Sequence, residues 1–475
     1  MKMVAAAISI AAIAAGCGEC EECTYKPGAD GEPAFKVDLV QVAPGHFHAA
    51  LVQNRTYPEV SEKVLVFAPK GPELDAHLKL IEQFNTREKD PTAWKETVYT
   101  GDDFLEKALE CRDGLENTPV AVFAGKNCDK TGYVLKCVEA GYNIFSDKPM
   151  AITPDRFDML EKAFALADEN GLMIYDIMTE RFEITTILQR ELAMTKGVYG
   201  EQEKGTPENP AVTKESVHHF CKLVNGKPLQ RPGWYYDTDQ QGEAIMDVTT
   251  HLTDLVQWET FPEVVLKKDD VKMLSARIWP TAITAADYKT STGLDEWPEF
   301  LKKDLDANGV LQCKANGEFT YQLKGVNAKV SVLWNFMPQP GGGDTHYSLM
   351  RGTKSELIIR QNKDTNFRQR LFVKPREGVD AQKLGEELSG ALERLCGKYP
   401  QLKGDELGVK FENGEWVVSV PKACDIGHEA HFSQVTRNFL KYLAAGELPE
   451  WEKPNMLVKY YTLTLAYKAA HGDNK

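Results

Sequence analysis

The chain has 475 residues, 42% of them apolar, and 56 Lys+Arg against 70 Asp+Glu give a formal net charge of −14. That length predicts two or three domains and excludes a disulfide-stapled miniprotein, because cores of ordinary size can be built. The acidic balance, with no long basic block, disfavours nucleic acid and anionic membrane surfaces and leaves small molecules as the expected partners.

Met1-Lys2 precedes an apolar, Ala-rich run from Met3 to Ala15, followed by Gly16-Cys17. A charged start, a short apolar run and a small-residue exit read as an export signal, too short to span a membrane as a mature helix. Ala14-Ala15-Gly16-Cys17 resembles a bacterial lipobox with Cys17 as the lipidated residue, although Ala14 stands where Leu is usual. Residues 1–35 are therefore expected to be a lipoprotein signal peptide and tether. The protein is expected in the periplasm or outer membrane of a Gram-negative bacterium, touching membrane only through that anchor. No twin-Arg pair is present, which argues against export in the folded state. Cys17, Cys20 and Cys23 are spaced like metal ligands but lack a fourth, so no metal is assigned to them. The other seven cysteines, Cys111 to Cys424, are scattered singly and read as small apolar residues.

From Lys36 onward apolar runs alternate with helical stretches. The runs are Val37–Val42, Lys63–Ala68, Glu96–Tyr99, Pro119–Ala124, Tyr142–Phe145 and Leu172–Tyr175. Between them lie Glu73–Phe84, Asp102–Cys111, Lys130–Ala140 and Pro154–Asn170, the last with Phe157, Leu160, Ala163, Phe164 and Ala167 on one stripe. This alternation predicts an α/β, Rossmann-like doubly wound parallel sheet over residues 36–178, with ligands at the carboxyl ends of its strands. Residues 179–475 are expected to form an α+β substrate domain with a largely antiparallel open sheet. Phe182–Thr195 reads as a helix and Lys196–Lys214 as an exposed insertion. Strand-like runs follow at Val271–Ile278, Gly317–Lys324, Ala328–Phe336, Tyr347–Met350 and Glu356–Arg360, with helices at His428–Ala445 and Asn455–Ala470.

The phosphate-binding fingerprint is degraded. Where G-x-G-x-x-G is expected, the chain reads Ala43-Pro44-Gly45-His46-Phe47-His48, and only Gly45 remains. The ribose-binding acid at the end of the second strand is replaced by Ala68-Pro69-Lys70. Lys70 could meet a 2′-phosphate or be a solvated loop lysine, so the choice between NAD and NADP stays open.

Three ordered segments carry a resemblance. Gly141–Met150, with Asp147-Lys148-Pro149, resembles the strand-end G-x-x-V-x-x-E-K-P motif of the glucose–fructose oxidoreductase/inositol dehydrogenase (Gfo/Idh/MocA) family, with Asp147 in place of Glu. Thr179-Glu180-Arg181-Phe182 is similar to its N-x-R-F segment, and Gly242–Leu255 to its G-G-x-x-x-D-x-x-x-H-x-x-D segment. The phrasing is closest to a subgroup of oxidoreductases exported by gut Bacteroidetes. The resemblance implies an NAD(P)-dependent oxidoreductase acting on a sugar or cyclitol hydroxyl. It implies Lys148, Asp247 and His251 as catalytic residues and Gly45, His46, Phe47, His48, Lys70, Asn127, Asp147, Lys148 and Pro149 along the cofactor.

Asp247 and His251 stand four residues apart, so on a helix the carboxylate could orient the imidazole as a base, or the two could be a structural salt link. Arg181, Trp234, Tyr235, Tyr236, Asp237 and His251 are the expected substrate contacts. His346 lies on a Gly-rich loop, at the mouth of the site or in a subunit contact, and a homo-oligomer through the C-terminal sheet is allowed. His428 and His431 complete no zinc-protease motif, and no metal is assigned. Two other functions remain open: an NAD-dependent glycosidase acting by transient oxidation, elimination and re-reduction, and a catalytically silent sugar-binding lipoprotein.

Overall fold

A computed structural model of the chain describes residues 35–472 apart from 225, 226 and 229. The export-signal and lipobox readings, with Cys17, Cys20 and Cys23, lie outside the described residues. Among these, no helix is long and apolar enough to cross a membrane, and Cys111, Cys128, Cys137, Cys221, Cys313, Cys396 and Cys424 are free thiols.

The first sheet contains β1 (Val37–Val42), β2 (Lys63–Ala68), β3 (Lys95–Thr100), β4 (Thr118–Phe123), β5 (Asn143–Asp147) and β6 (Ile174–Ile177), all parallel, in the order β3-β2-β1-β4-β5-β6. The connecting helices are α1 (His48–Leu51), α2 (Pro72–Thr86), α3 (Phe104–Glu110), α4 (Asn127–Glu139) and α5 (Pro154–Glu169). Side chains alternate between two cores, as a pleated strand requires. Val40, Val42, Ala121 and Phe123 pack with α3–α5, whereas Leu39, Val64, Val66, Val120 and Val122 face the opposite core. Burial on both faces is why β1, β2 and β4 read as largely apolar runs rather than alternating ones, whereas the edge strand β3 is mostly exposed. The strand order reverses at β1/β4, which opens a crevice beyond their carboxyl ends. There the turns after β1 and β4 meet so closely that a Cβ on Gly125 would stand 2.2 Å from the Ala43 carbonyl oxygen.

After α6 (Ile184–Ala193) the chain builds a nine-stranded sheet. Its strands are β7 (Val212–His219), then β10 (Val271–Ile283), β11 (Leu311–Leu323), β12 (Val326–Asn335), β13 (Thr345–Arg351), β14 (Ser355–Gln361), β15 (Arg370–Pro375), β16 (Gly408–Glu412) and β17 (Glu415–Ser419). A two-stranded hairpin, β8 (Leu223–Val224) with β9 (Lys227–Pro228), lies between them. The order is β10-β11-β12-β7-β13-β14-β15-β17-β16, antiparallel except where β7 and β12 run parallel. The helices are α7 (Thr238–Gln241), α8 (Thr249–Thr260), α9 (Ala285–Thr292), α10 (Ala381–Lys398), α11 (His428–Ala445) and α12 (Glu452–Ala470).

The sequence reading has no counterpart for α9, β15, α10, β16 and β17, and two further differences bear on the site. The segment 196–214, read as an exposed insertion, runs into β7, a central strand. Polar Lys214, Glu215, Ser216 and His218 conceal it, and Lys214 is fully buried because it bonds to Glu259, Gln189 and Ser348. In addition, α11 packs on the first sheet rather than the second: Phe432, Val435 and Phe439 close the core that Leu39, Val64 and Val120 face. The Phe439 ring stacks on Phe145 with centroids 4.6 Å apart.

Candidate active site

A cavity of about 480 Å³ lies between the carboxyl ends of the first sheet and the face of the second. One wall carries Lys148, directly after β5, and His251, in the first turn of α8. The facing wall carries the cross-strand pairs His218–Trp334 and Ser216–His346, which three neighbouring strands bring together.

Lys148 Nζ donates to Asp247 Oδ1 at 2.6 Å, with the side chains only 12% and 9% exposed. Burial opposes the charge on Lys148, but the Asp247 and Asp147 carboxylates outweigh it and raise the ammonium above its ordinary value. Asp247 precedes α8, so its carboxylate reaches across to Lys148 and not to His251. The expected Asp247–His251 pair is therefore replaced by a Lys148–Asp247 pair beside a separate imidazole. His251 Nδ1 is buried without a hydrogen-bond partner among the described residues. Burial, and then the Lys148 charge, hold that imidazole well below its ordinary value, so it is neutral near pH 7.

Asp147 accepts a hydrogen bond from His48 Nδ1 at 2.9 Å. Burial pushes this carboxyl upward, but His48 and Lys130 outweigh it and hold the group well below the usual carboxylate range. Lys130, buried and brought down to about 8 by desolvation, donates to Asn127 Oδ1 and to the Asp147 and Pro149 carbonyls. It therefore pins the backbone that presents Lys148. Asn127 itself donates to the Gln241 carbonyl at 2.7 Å.

The expected substrate contacts divide. Trp234 and Tyr235 line the cavity, and the Arg231 guanidinium lies over the Tyr235 ring at 4.3 Å. Tyr236 is buried behind them with its hydroxyl on Ser291, and Asp237 caps α7 by accepting from Asp239 N. Arg181 does not face the cavity: its guanidinium forms a two-pronged pair with Asp254 and a third bond to Glu452, all three side chains being buried. Its N-x-R-F position marks an interior ion network rather than a ligand contact. His218, Lys222, Trp334 and Asp344 line the cavity and were not anticipated. The His218 ring stacks on Trp334 at 5.1 Å, and Asp344 accepts from His219 and from Lys222. His346 lines the inside of the cavity, where burial lowers it to about 3.

A second cavity of about 340 Å³ adjoins the first across Gly125, at the carboxyl ends of β1, β2 and β4. Pro69, Leu74, Phe104 and Phe123 give it an apolar interior, with Gly45 beside them and Lys70 and Lys126 contributing positive charge. The amides of Gly45 and His46 both donate to the Ala124 carbonyl, which closes the turn that a glycine fingerprint would ordinarily shape. The second cavity, lined by Lys70, Lys126 and Lys130 with Glu73 and Asp129, and the first, rich in histidine, together give an extended crevice of the kind a dinucleotide occupies.

Residues 188–471 match the family described as "Putative oxidoreductase C terminal domain". A crystal structure of a "putative oxidoreductase" from Parabacteroides merdae is 51% identical, with a TM-score of 0.88 over 92% of this chain and 98% of that one. A 3-ketoreductase from Actinomadura kijaniata, in complex with NADP and TDP-benzene, is 12% identical, with a TM-score of 0.52 over 92% of this chain and 98% of the other. A protein of gentamicin A biosynthesis, in complex with NAD, is 14% identical, with a TM-score of 0.53 over 92% and 95%. These last two share the fold. No curated protein matches the chain.

Proposed function

We propose that this chain, which belongs to the oxidoreductase family defined by that C-terminal domain and has the Gfo/Idh/MocA fold, transfers a hydride between a bound NAD or NADP and a hydroxyl of a sugar or glycoside. One observation carries the reading: Lys148, held in a buried ion pair with Asp247, and the His251 imidazole line one cavity, the cavity that adjoins the crevice beyond β1 and β4.

The chemistry follows from those groups. A substrate hydroxyl placed between them donates its proton to the neutral His251 imidazole. The Lys148 ammonium, held charged by Asp247, donates a hydrogen bond to the oxygen as negative charge develops on it. A nicotinamide held there would supply the hydride acceptor for the carbon bearing that oxygen. Gly45, Lys70, Gly125 and Lys126 would hold its adenosine and phosphate half, and Asn127 and Lys148 would lie along its reactive half. On the opposite wall, Trp334 and Tyr235 offer the flat apolar faces a pyranose needs. Lys148 and Lys222 each carry a carboxylate partner, Asp247 and Asp344, which suits an uncharged polyol better than an acid.

An enzyme exported to a compartment without a maintained NAD(P) pool has to keep its cofactor and restore it in place. Purified protein should therefore release a nicotinamide nucleotide on acid treatment, identified by mass spectrometry. Stopped-flow absorbance should show one partial reduction per site on adding a sugar, reversed by a keto-sugar. Continuous NADH production from added NAD, with no nucleotide retained after dialysis, refutes retention. Absence of both nucleotide and hydride transfer refutes the oxidoreductase reading itself.

The location is tested separately. Cys17→Ser should move the protein from the membrane fraction to the soluble fraction, and an intact Met1 terminus in a cytoplasmic fraction overturns the lipoprotein proposal.

A further inference from the structure

Of the ten histidines in the chain, His46, His48, His218, His251, His346 and His428 line the larger of the two cavities described above. Hydride transfer with a single imidazole base leaves most of them without a role. Three of the remaining metal-capable groups converge where the turn after β1 meets the end of β5. His46, His48 and Asp147 each present one ligand atom, and these atoms all lie within 4.8 Å of one another. His48 and Asp147 are buried and His46 is half-buried. His428, delivered by α11 from the far end of the chain, brings its Nε2 to 3.4 Å from His48 Nε2.

We propose that His46, His48 and Asp147 form a binding site for a divalent transition-metal ion, open to the large cavity. Two imidazoles and one carboxylate form a borderline donor set suited to ions of the zinc, cobalt and iron(II) class. Three protein ligands leave a coordination position free, as in sites where such an ion takes a substrate oxygen. The ion takes the place of the proton shared between His48 Nδ1 and Asp147 Oδ2, which stand 2.9 Å apart. His48 then carries its proton on Nε2 and donates it to His428 Nε2, the outer hydrogen bond that fixes a ligand ring. The Lys148 ammonium close by is already neutralised by Asp247 at 2.6 Å. His46, His48 and Asp147 line the same cavity as Trp334 and Tyr235, so a hydroxyl or carbonyl oxygen of a polyhydroxylated substrate is the expected fourth ligand. The site does not depend on the nicotinamide reading.

The test uses tag-free full-length protein, dialysed against a chelator and titrated with Co²⁺ and with Zn²⁺. One equivalent should survive gel filtration, and the Co²⁺ form should show visible d–d absorption. X-ray absorption of the Zn²⁺ form should place nitrogen and oxygen at about 2.0–2.2 Å, with no sulfur at about 2.3 Å. His48→Ala and Asp147→Asn should each weaken Co²⁺ binding by more than about tenfold with unchanged far-UV circular dichroism. His46→Asn, at the half-buried position, decides the matter if either of those variants fails to fold. Equal binding by the folded variants, no retained metal in the wild-type protein, or sulfur ligation that assigns the ion to Cys17, Cys20 and Cys23 overturns the proposal. Nucleotide and hydride transfer measured on the same samples separate the two readings, since metal binding with neither of them defeats the oxidoreductase reading alone.

Discussion

Substituting His251 with Ala is expected to lower turnover by about 10²–10⁴-fold, the usual range for loss of a general base. Nucleotide retention should stay near that of the wild-type protein, because His251 does not line the second cavity, which would take the adenosine and phosphate half. The size of the loss rests on an unshared role. His251 Nδ1 has no hydrogen-bond partner among the described residues, and Asp247, the carboxylate expected to orient the ring, is engaged by Lys148 at 2.6 Å instead. The pH profile carries a second test. Burial and the Lys148 charge hold the imidazole well below its ordinary value. A histidine with a lowered pKa keeps its lone pair as pH falls through the usual histidine range, so turnover should show no acid limb from this group between about pH 8 and pH 6. An acid limb centred near 6.5 that vanishes in His251→Ala would mean that the ring is hydrated and freely titrating. More than half of wild-type turnover in the Ala variant would reduce it to a packing residue.

The parts of this site that could be read from the sequence are those where local pattern and final environment agree. β1, β2 and β4 are largely buried on both faces and correspondingly apolar over most of their length, and β5 is buried throughout around Ile144 and Phe145. Lys148 and His251 were legible because the motifs around them place one at a strand end and the other on a helix. β7 was not, since Lys214 is polar and yet lies in the interior, a position only Glu259, Gln189 and Ser348 make tolerable. Its loss from the prediction removed His218 from the site as well. α10 did carry a readable signal: Leu384, Leu388, Ala391 and Leu392 recur at helical spacing and are buried on one face. The period of α11 was readable, but not the sheet it covers, so nothing in its sequence placed His428 beside His48, 380 residues away. Pairings across that separation are tertiary and leave no local trace. The same limit explains Arg181, whose motif position is conspicuous while its partners lie 73 and 271 residues downstream.

Arg181→Met is therefore expected to destabilise the fold rather than weaken substrate binding. The guanidinium meets Asp254 through Nε and Nη2 at 2.6 and 2.7 Å and Glu452 through Nη1 at 2.7 Å, and the side chains involved are at most 8% exposed. Lys459 supplies a second cation to Asp254 and reaches Asp176 of β6, whose carboxylate also accepts from Tyr460. The network thus fastens α8 and α12 to the first sheet, and the Tyr460 hydroxyl accepts in turn from the amide of Met150, two residues past Lys148. Removing Arg181 leaves Glu452 buried without its cation and Asp254 with one of two. Loss of one partner from a buried ion network costs about 3–5 kcal/mol, because the remaining charge stays desolvated. Burial raises the Asp254 carboxyl, but Arg181 and Lys459 outweigh it and hold it well below its ordinary value. Its contribution is therefore fully present above the unfolded carboxylate range and is lost as pH falls toward the folded value. Urea unfolding at neutral pH should show the destabilisation in full, and the difference between wild type and Arg181→Met should shrink in acid. A change below about 1 kcal/mol at neutral pH, with KM for a sugar raised instead, would return Arg181 to the binding site.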